Sequence, residues 1–148
     1  MTASIKESLR ELGIQLSLLN RQVSAHVELR DVDLYCIDLI NREGPLSPSA
    51  LARRAGLHPA TMTGILDRLQ RGGWAVRQRD PDAGDRRAVA VSPLRERVPE
   101  LFKLYSGMST LVDEICADYG DAELAVLADF LRRTTEAGQE ATDRLANG

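Results

Sequence analysis

The amino-acid sequence predicts a mainly α-helical protein with one small β-hairpin. Apolar residues recur at steps of three and four along most of its 148 residues, which is the pattern of amphipathic helices. Residues 74–79 and 88–92 fit short strands instead, and the segment between them is dense in turn-forming residues. Aromatic side chains make up only 4% of the chain, so aliphatic side chains must fill the core. At this length we expect a single domain, residues 1–148.

Both ends of the chain are predicted to form long helices. In residues 5–26, apolar positions alternate at steps of four and three, which is coiled-coil spacing. This first seam consists of Ile5, Leu9, Leu12, Leu16, Leu19, Val23 and His26. The second seam follows Asp121, the expected N-cap of the last helix. It consists of Leu124, Leu127, Leu131, Thr134, Gly138, Ala141 and Leu145.

Each of these seams alone could pack against the chain's own core. Two long helices around a small middle region leave too little core to cover both, however, so a second subunit is the better cover. The small residues Thr134, Gly138 and Ala141 would let two backbones approach closely. We therefore predict a homodimer joined through helices in residues 1–30 and 93–148.

Two short helices are predicted in the middle of the chain before the hairpin region. The first covers residues 31–43 and ends at Gly44, a common stop signal. Ser47 caps the next helix, with Pro48 at its first position, and Gly56 ends it.

A third helix follows after the short connection of residues 57–58. Pro59 opens it, and its buried stripe is expected to be Met62, Ile65, Leu66 and Leu69. The glycines at 72 and 73 end it. Two helices joined by so short a turn containing glycine have the dimensions of a helix-turn-helix.

The hairpin of residues 74–92 completes a winged helix, so the predicted winged helix-turn-helix lobe covers residues 31–92. After the hairpin, Ser92 is expected to cap another long helix that begins at Pro93. Pro99 is expected to kink this helix, which ends near residues 119–120.

The net charge of −3 is unevenly distributed along the chain. Residues 50–97 hold ten basic and five acidic side chains, whereas residues 1–49 hold five and seven, and residues 98–148 hold four and ten. A partner responds to the local field, so the basic middle suits nucleic acid despite the acidic total. Random clustering on a solvated surface is the alternative, which motifs must decide.

Several other classes of protein are not expected. The first ten residues carry polar and acidic side chains where a secretory signal would be apolar, and no apolar run reaches the roughly 18 residues of a membrane span. We expect a cytoplasmic protein. Cys36 and Cys116 lie far apart, so neither a disulfide framework, a metal site nor a cofactor is expected. The two histidines have no paired catalytic partner in sequence, which speaks against an enzyme.

The outward face of the third helix is the predicted DNA-reading surface. Threonine offers a hydroxyl and a methyl group to bases, and arginine can grip guanine or a phosphate. The predicted DNA-contacting residues on or beside this helix are Ser49, His58, Ala60, Thr61, Thr63, Gly64, Arg68 and Arg71. Gly64 should cost about 1 kcal/mol in mid-helix relative to alanine. Close approach of the helix backbone to DNA would explain it, and tolerated drift is the alternative.

The hairpin carries a cluster of arginines that suits a minor groove. Arg77, Arg79, Arg86 and Arg87 lie on or beside its strands. Asp85 either holds one of these arginines in position or only starts the turn. We assign Asp85, Arg86 and Arg87 to the DNA-contacting set, although a solvated hairpin without a partner is the alternative.

The sequence resembles the MarR family of winged helix-turn-helix transcriptional regulators. The resemblance is carried by residues 44–92, GPLSPSALARRAGLHPATMTGILDRLQRGGWAVRQRDPDAGDRRAVAVS, including the family's Asp-x-Arg wing signature at residues 85–87. It implies a dimer that places two recognition helices in successive major grooves of a pseudo-palindromic operator on double-stranded DNA. It also implies that Arg87 enters the minor groove. His58 stands where the family usually has serine, and Gly64 where arginine is common, so the operator sequence is not implied.

The resemblance also implies a repressor that a small aromatic or phenolic ligand releases from DNA. Members of the family bind such effectors between the dimer helices and the DNA-binding lobe. His26, Arg30 and Tyr35 lie near the junction of the first two helices and are the candidate effector contacts. Alternatively, His26 is an interfacial residue and Tyr35 a surface residue.

Two further classes of function remain open at the level of sequence. One is a regulator that senses oxidants through a cysteine, although Cys36 falls where an aliphatic core residue is expected. The other is a winged helix used only for protein contacts, which the acidic ends of the chain favour. Four arginines concentrated on the hairpin favour DNA instead.

Overall fold

The computed structural model describes residues 1–80, 82, 84 and 88–148. These residues form a mainly α-helical fold with one antiparallel hairpin, as predicted. In chain order the elements are α1 (Thr2–His26), α2 (Asp31–Glu43), α3 (Pro48–Ala55), α4 (Pro59–Arg71), β1 (Ala75–Arg79), β2 (Val89–Pro93), a 3-10 turn (Arg95–Arg97), α5 (Val98–Cys116) and α6 (Asp121–Asn147). The chain divides into two compact units, Met1–Leu104 and Tyr105–Gly148. The single-domain organisation stays a prediction.

The core of the first unit lies where α2, α3 and α4 pack together with the hairpin. The predicted inward stripe of α4 is confirmed, because all four of its residues are buried. The most deeply buried side chains of this core are Ile40, Leu51, Met62, Ile65, Leu69, Trp74 and Val91. Each large aliphatic side chain buried in this way contributes about 1.5–3 kcal/mol. The position of α4 is therefore set by aliphatic packing along its inner face.

The helix-turn-helix is confirmed, and side chains cap both of its helices. Ser47 Oγ accepts a hydrogen bond from the Ala50 amide at 3.1 Å at the start of α3. Gly56 ends α3 with φ +67°, a left-handed conformation that glycine adopts without steric cost. His58 then caps α4, its Nδ1 accepting from the Ala60 amide at 3.1 Å. His58 thus caps α4 in the way that Ser47 caps α3.

The hairpin is fastened to the helices by a further backbone pairing. Ala75 lies opposite Pro93 and Arg79 opposite Val89 in the antiparallel register. Leu46, in the α2–α3 connection, donates to Val91 at 3.1 Å and accepts from it at 2.7 Å. The connection between α2 and α3 is therefore paired directly to β2 of the hairpin.

The predicted start of the helix after the hairpin was wrong. Ser92 does not cap a helix, because it lies within β2 opposite Val76, and Pro93 continues the strand. The helix begins only at Val98, after the 3-10 turn. Pro99 therefore lies in the first turn of α5, where its missing N–H costs no helical hydrogen bond and no kink is required.

A single arginine ties the end of α4 to the start of α5. The Arg97 guanidinium stacks over the buried Trp74 ring, 4.1 Å from the ring centre. The same group donates to the Gly72 carbonyl at 2.8 Å and pairs with Glu100 at 2.9 Å. We call Trp74, Gly72, Arg97 and Glu100 the tryptophan junction.

The long helices contrast with this packed region. No residue of α5 or α6 is buried, and Leu127 and Leu131 of the predicted seam are 40% and 50% exposed. In α1, Val23 is the one seam residue that is buried. The N-cap of α6 is Gly120 rather than Asp121, and its amide donates to the Glu123 carboxylate at 2.8 Å. Among the described residues, no helix has the length and apolar character needed to cross a membrane.

Candidate nucleic-acid interface

The outward face of α4 is exposed as predicted. Ala60, Thr61, Thr63 and Arg71 are exposed, and Gly64 between them is half-buried. Thr63 donates its hydroxyl to the Pro59 carbonyl at 3.2 Å, which leaves the oxygen free to accept. This face therefore presents hydroxyls, methyl groups and one cation along a single helix.

Arg68, predicted to contact DNA, is held by a carboxylate of the core. Its Nε and Nη2 donate to the two oxygens of Asp33 at 3.1 and 2.9 Å. Asp33 lies in the first turn of α2 and is fully buried. The bond to Asp33 raises the pKa of the Arg68 guanidinium above its ordinary value. The two helices α2 and α4 are thereby joined by a two-pronged, charge-assisted pair.

Asp33 was not among the residues predicted from the sequence. It lies 35 positions from Arg68, so no local pattern connects the two. One signal was present: Asp33 is spaced by four and seven residues from Ile37 and Ile40, which places it on the inward stripe of its helix. An acid in such a stripe requires a buried partner.

A second arginine fixes the hairpin against α4. Arg77 of β1 pairs with Asp67 at 2.6 Å, and its amide and Nε both donate to the Gln70 side-chain oxygen at 3.1 and 3.2 Å. Arg77 was predicted as one of the cations available on the wing. Instead, Arg77 bonds to two side chains of α4 and thereby orients β1 relative to that helix.

The tip of the wing is described only in part. The Asp80 amide donates to the Ala88 carbonyl at 2.9 Å, which closes the strands, and Arg79 is exposed. The predicted contacts Asp85, Arg86 and Arg87 lie outside the described residues.

An open groove of about 440 Å³ lies between α3, α4 and β2. It brings together Ser49 and Thr63, two of the predicted DNA contacts, although they belong to different helices. Its walls are formed by Ser47, Pro48, Ser49, Pro59, Thr63, Ala88 and Val89. His58, the cap of α4, is exposed one residue before Pro59.

The candidate effector residues lie at the surface of the α1–α2 region. His26, Arg30 and Tyr35 are all exposed. The Nδ1 of His26 lies 2.9 Å from the Gln22 carbonyl, so this nitrogen carries the proton and donates, and Nε2 remains available. All three residues are therefore at the surface of the described chain.

The two cysteines differ in burial. Cys36 is fully buried, and this burial, followed by the nearby Asp33 charge, raises the pKa of its thiol to about 11. Because the thiolate is the reactive form, oxidant sensing at Cys36 is disfavoured. Cys116 is partly exposed. No group of three or more His, Cys, Asp or Glu side chains in the described part of the chain is placed to hold a metal ion.

Comparison with known proteins agrees with this architecture. The profile of the MarR family matches residues 31–89, which run from α2 to the first residue of β2. The chain is 28% identical over 136 residues to the uncharacterized HTH-type transcriptional regulator YcgE of Bacillus subtilis, covering 92% of this chain and 87% of that one. It is 29% identical over 92 residues to the HTH-type transcriptional repressor YetL of the same organism, covering 60% and 54% of the two chains.

Solved structures share the fold over nearly the whole chain. A MarR family protein from Bacillus stearothermophilus has a TM-score of 0.73 at 19% identity, covering 93% of this chain and 95% of that one. A transcriptional regulator from Thermotoga maritima has a TM-score of 0.67 at 23% identity, with coverage of 95% and 98%. The profile match therefore identifies residues 31–89 as similar to the MarR family, and the solved structures show that the similarity in fold extends over nearly the whole chain.

Proposed function

We propose that this protein is a homodimeric, sequence-specific DNA-binding repressor of transcription. The observation that carries the proposal is the presentation of α4, a capped second helix of a helix-turn-helix with Thr61, Thr63 and Arg71 exposed on its outer face. The names of the two Bacillus subtilis relatives, a transcriptional regulator and a transcriptional repressor, support the same function.

In the proposed complex, α4 lies in the major groove of double-stranded DNA. Ala60, Thr61, Gly64 and Arg71 face the bases or the adjacent phosphates, while the exposed Ser49 and His58 lie beside them. Residues 85–87 lie outside the described part of the chain; for these we propose that Arg87 reaches the neighbouring minor groove, that Arg86 also contacts DNA, and that Asp85 holds one of the two arginines in position. Binding should weaken steeply as salt concentration rises, because phosphate contacts release counterions.

The proposed dimer uses the apolar seams of the long helices. The exposed Leu127 and Leu131 of α6 and the exposed Ile5, Leu12 and Leu16 of α1 support a partner, because a monomer would leave them in water. Two copies would then offer two α4 helices to half-sites about one helical turn apart in a pseudo-palindromic operator.

A small aromatic or phenolic ligand is the proposed signal for release. His26, Arg30 and Tyr35 are accessible in the α1–α2 region and offer a ring nitrogen, a guanidinium and a phenol to such a ligand. A ligand that favours a different separation of the two lobes would lower affinity, because the dimer would no longer match the half-site spacing.

The decisive experiment is selection of duplexes from a randomised pool, followed by titration at several salt concentrations. We expect an enriched pseudo-palindrome, which is then sought upstream of the protein's own gene and challenged in gel shifts with a panel of aromatic acids. Arg87→Ala should weaken binding to the selected duplex. Arg133→Ala is the matched control, because it removes the same charge from an exposed position of α6.

Absence of binding to any duplex at low salt would contradict the proposal and favour a winged helix used for protein contacts. Unchanged affinity of Arg87→Ala at moderate salt would contradict the wing assignment alone. Release from the selected duplex by dilute peroxide, with sulfenic acid trapped at Cys36 or Cys116, would favour a redox-sensing regulator.

A further inference from the structure

Asp33 is placed to do more than stabilise the core. Its two oxygens occupy Nε and Nη2 of Arg68, and one of them also accepts from the Arg30 amide at 3.0 Å. The carboxylate is fully buried, whereas the Arg68 side chain retains 29% of its exposure. The pair therefore runs from the interior of α2 to the surface of α4.

This pairing leaves one edge of the guanidinium without a bond to Asp33. A Cβ added to Gly64 would lie 3.8 Å from Nη1 of Arg68. Apart from the backbone of α4 and the two adjacent residues, no other heavy atom of the described residues lies within 4 Å of that Cβ position. A longer side chain at 64 would extend into the space in front of Nη1. The glycine thus keeps the free edge of Arg68 open on the outer face of α4.

We propose that Asp33 is a positioning residue for DNA reading, which holds Arg68 so that Nη1 contacts DNA over the gap left by Gly64. This inference rests on the proposed function and names a specificity determinant that touches no nucleic acid. Asp33, Arg68 and Gly64 act as one unit, in which the carboxylate orients, the guanidinium contacts and the glycine gives access.

Pairing with Asp33 makes Arg68 a hydrogen-bond donor of fixed direction, whereas an unpaired arginine would be a mobile positive charge. An arginine paired on two nitrogens has lost its rotamer freedom before DNA arrives, so less entropy is lost on contact. Its charge is also balanced by the carboxylate, so it adds little to the salt-dependent attraction that any sequence would feel. The Asp33–Arg68 pair therefore favours discrimination between duplexes over general affinity.

The test compares Asp33→Asn with Asp38→Asn. Both substitutions remove one carboxylate charge from α2 and release an arginine from an ion pair, but Asp38 is exposed and pairs with Arg42 instead. The probes are a duplex selected by the wild-type protein and a randomised duplex of the same length. The measured quantity is the ratio of the two affinities, together with the slope of each affinity against salt concentration.

For Asp33→Asn we expect the affinity ratio to fall about tenfold, as for loss of one well-placed base contact, and the salt slope on the randomised duplex to steepen by about one phosphate contact. Asp38→Asn should keep the wild-type ratio. A fold that is merely destabilised leaves fewer active molecules for both duplexes alike, so the ratio separates positioning from structural loss.

Arg68→Lys serves as the second variant should Asp33→Asn not fold. Lysine keeps the charge at a partly exposed position but cannot make the two-pronged pair, so the ratio should again fall about tenfold. A wild-type ratio in whichever of these variants folds would overturn the inference while leaving the proposed function intact. Failure of the wild-type protein to select any duplex would overturn both.

Discussion

Helices α4 and α6 are both amphipathic, yet they stand in opposite relation to the chain that contains them. α4 has 13 residues and buries four of them, with its start capped by a histidine and one outer arginine paired to a buried carboxylate. α6 has 27 residues and buries none. The packing of α4, the proposed DNA-reading helix, is completed within one chain, whereas α6 presents an apolar face that its own chain leaves open.

The two helices differ in what must fix their position. A helix that reads DNA must have one orientation relative to the rest of its lobe, and interdigitated aliphatic packing supplies it. A helix that joins subunits needs only a continuous seam, because the partner supplies the other half of the packing. Substitutions on the inner face of α4 should therefore lower the stability of the fold, whereas substitutions on the seam of α6 should weaken the proposed dimer.

The largest effect is expected from Leu69→Ala, which opens a cavity under α4. Leu69 is fully buried, so the loss of its side chain should lower the free energy of unfolding by about 2–5 kcal/mol. Chemical denaturation at fixed protein concentration measures it. Leu127→Ala, at an exposed seam position, is the comparison, and a larger loss there than at Leu69 would contradict the division between the two helices.

The open face of α6 is tested by Leu131→Asp. A carboxylate in the proposed seam should convert the dimer to a monomer, and affinity for the selected duplex should fall about a hundredfold or more, because the two reading helices are no longer linked. Light scattering and titration measure the two effects. Ala125→Asp adds the same charge on the opposite side of α6 and should remain dimeric. A fully dimeric Leu131→Asp protein would place the interface elsewhere.

The burial of Cys36, on α2, also predicts that the stability of the fold decreases at alkaline pH. The raised pKa of Cys36, about 11, means that the folded protein keeps the thiol proton at pH values where an unfolded thiol has lost it. The stabilising contribution is thus complete below about pH 9 and disappears as pH rises towards 11. Between pH 8 and pH 10 we expect the free energy of unfolding to fall by about 1 kcal/mol more in the wild type than in Cys36→Ala. Equal pH profiles would show that the thiol is not desolvated.

The smallest effect concerns the cap of α4. His58→Ala removes the acceptor for the Ala60 amide and should lower the free energy of unfolding by about 1 kcal/mol. His58→Ser should restore it, because a hydroxyl can accept the same bond. If serine fails to restore stability, the imidazole contributes through something other than capping.

The parts of this fold that follow local rules could be predicted from sequence. The bounds of α2, α3 and α4 agree with their glycine and proline signals, because caps and stops act within a few residues. The start of α5 could not be predicted in this way. Ser92 and Pro93 have the local chemistry of a helix start, but pairing with Val76 and Ala75 keeps them in the sheet.

The candidate site shows the same limit. The exposure of Thr61, Thr63 and Arg71 follows from helical periodicity and was predicted. The commitment of Arg68 to Asp33, and of Arg77 to Asp67, depends on which elements meet in three dimensions. Periodicity can place a cation on a face, but only the fold decides which of its donors remain available.

The tryptophan junction gives the protein an optical reporter. Trp74 is the one tryptophan of the chain, so its fluorescence comes from a single, buried place where α4, β1 and Arg97 meet. A shift of its emission to longer wavelength would signal water entering that place. A change in packing at the tryptophan junction can therefore be followed in the unlabelled protein, during a titration, without attaching any dye.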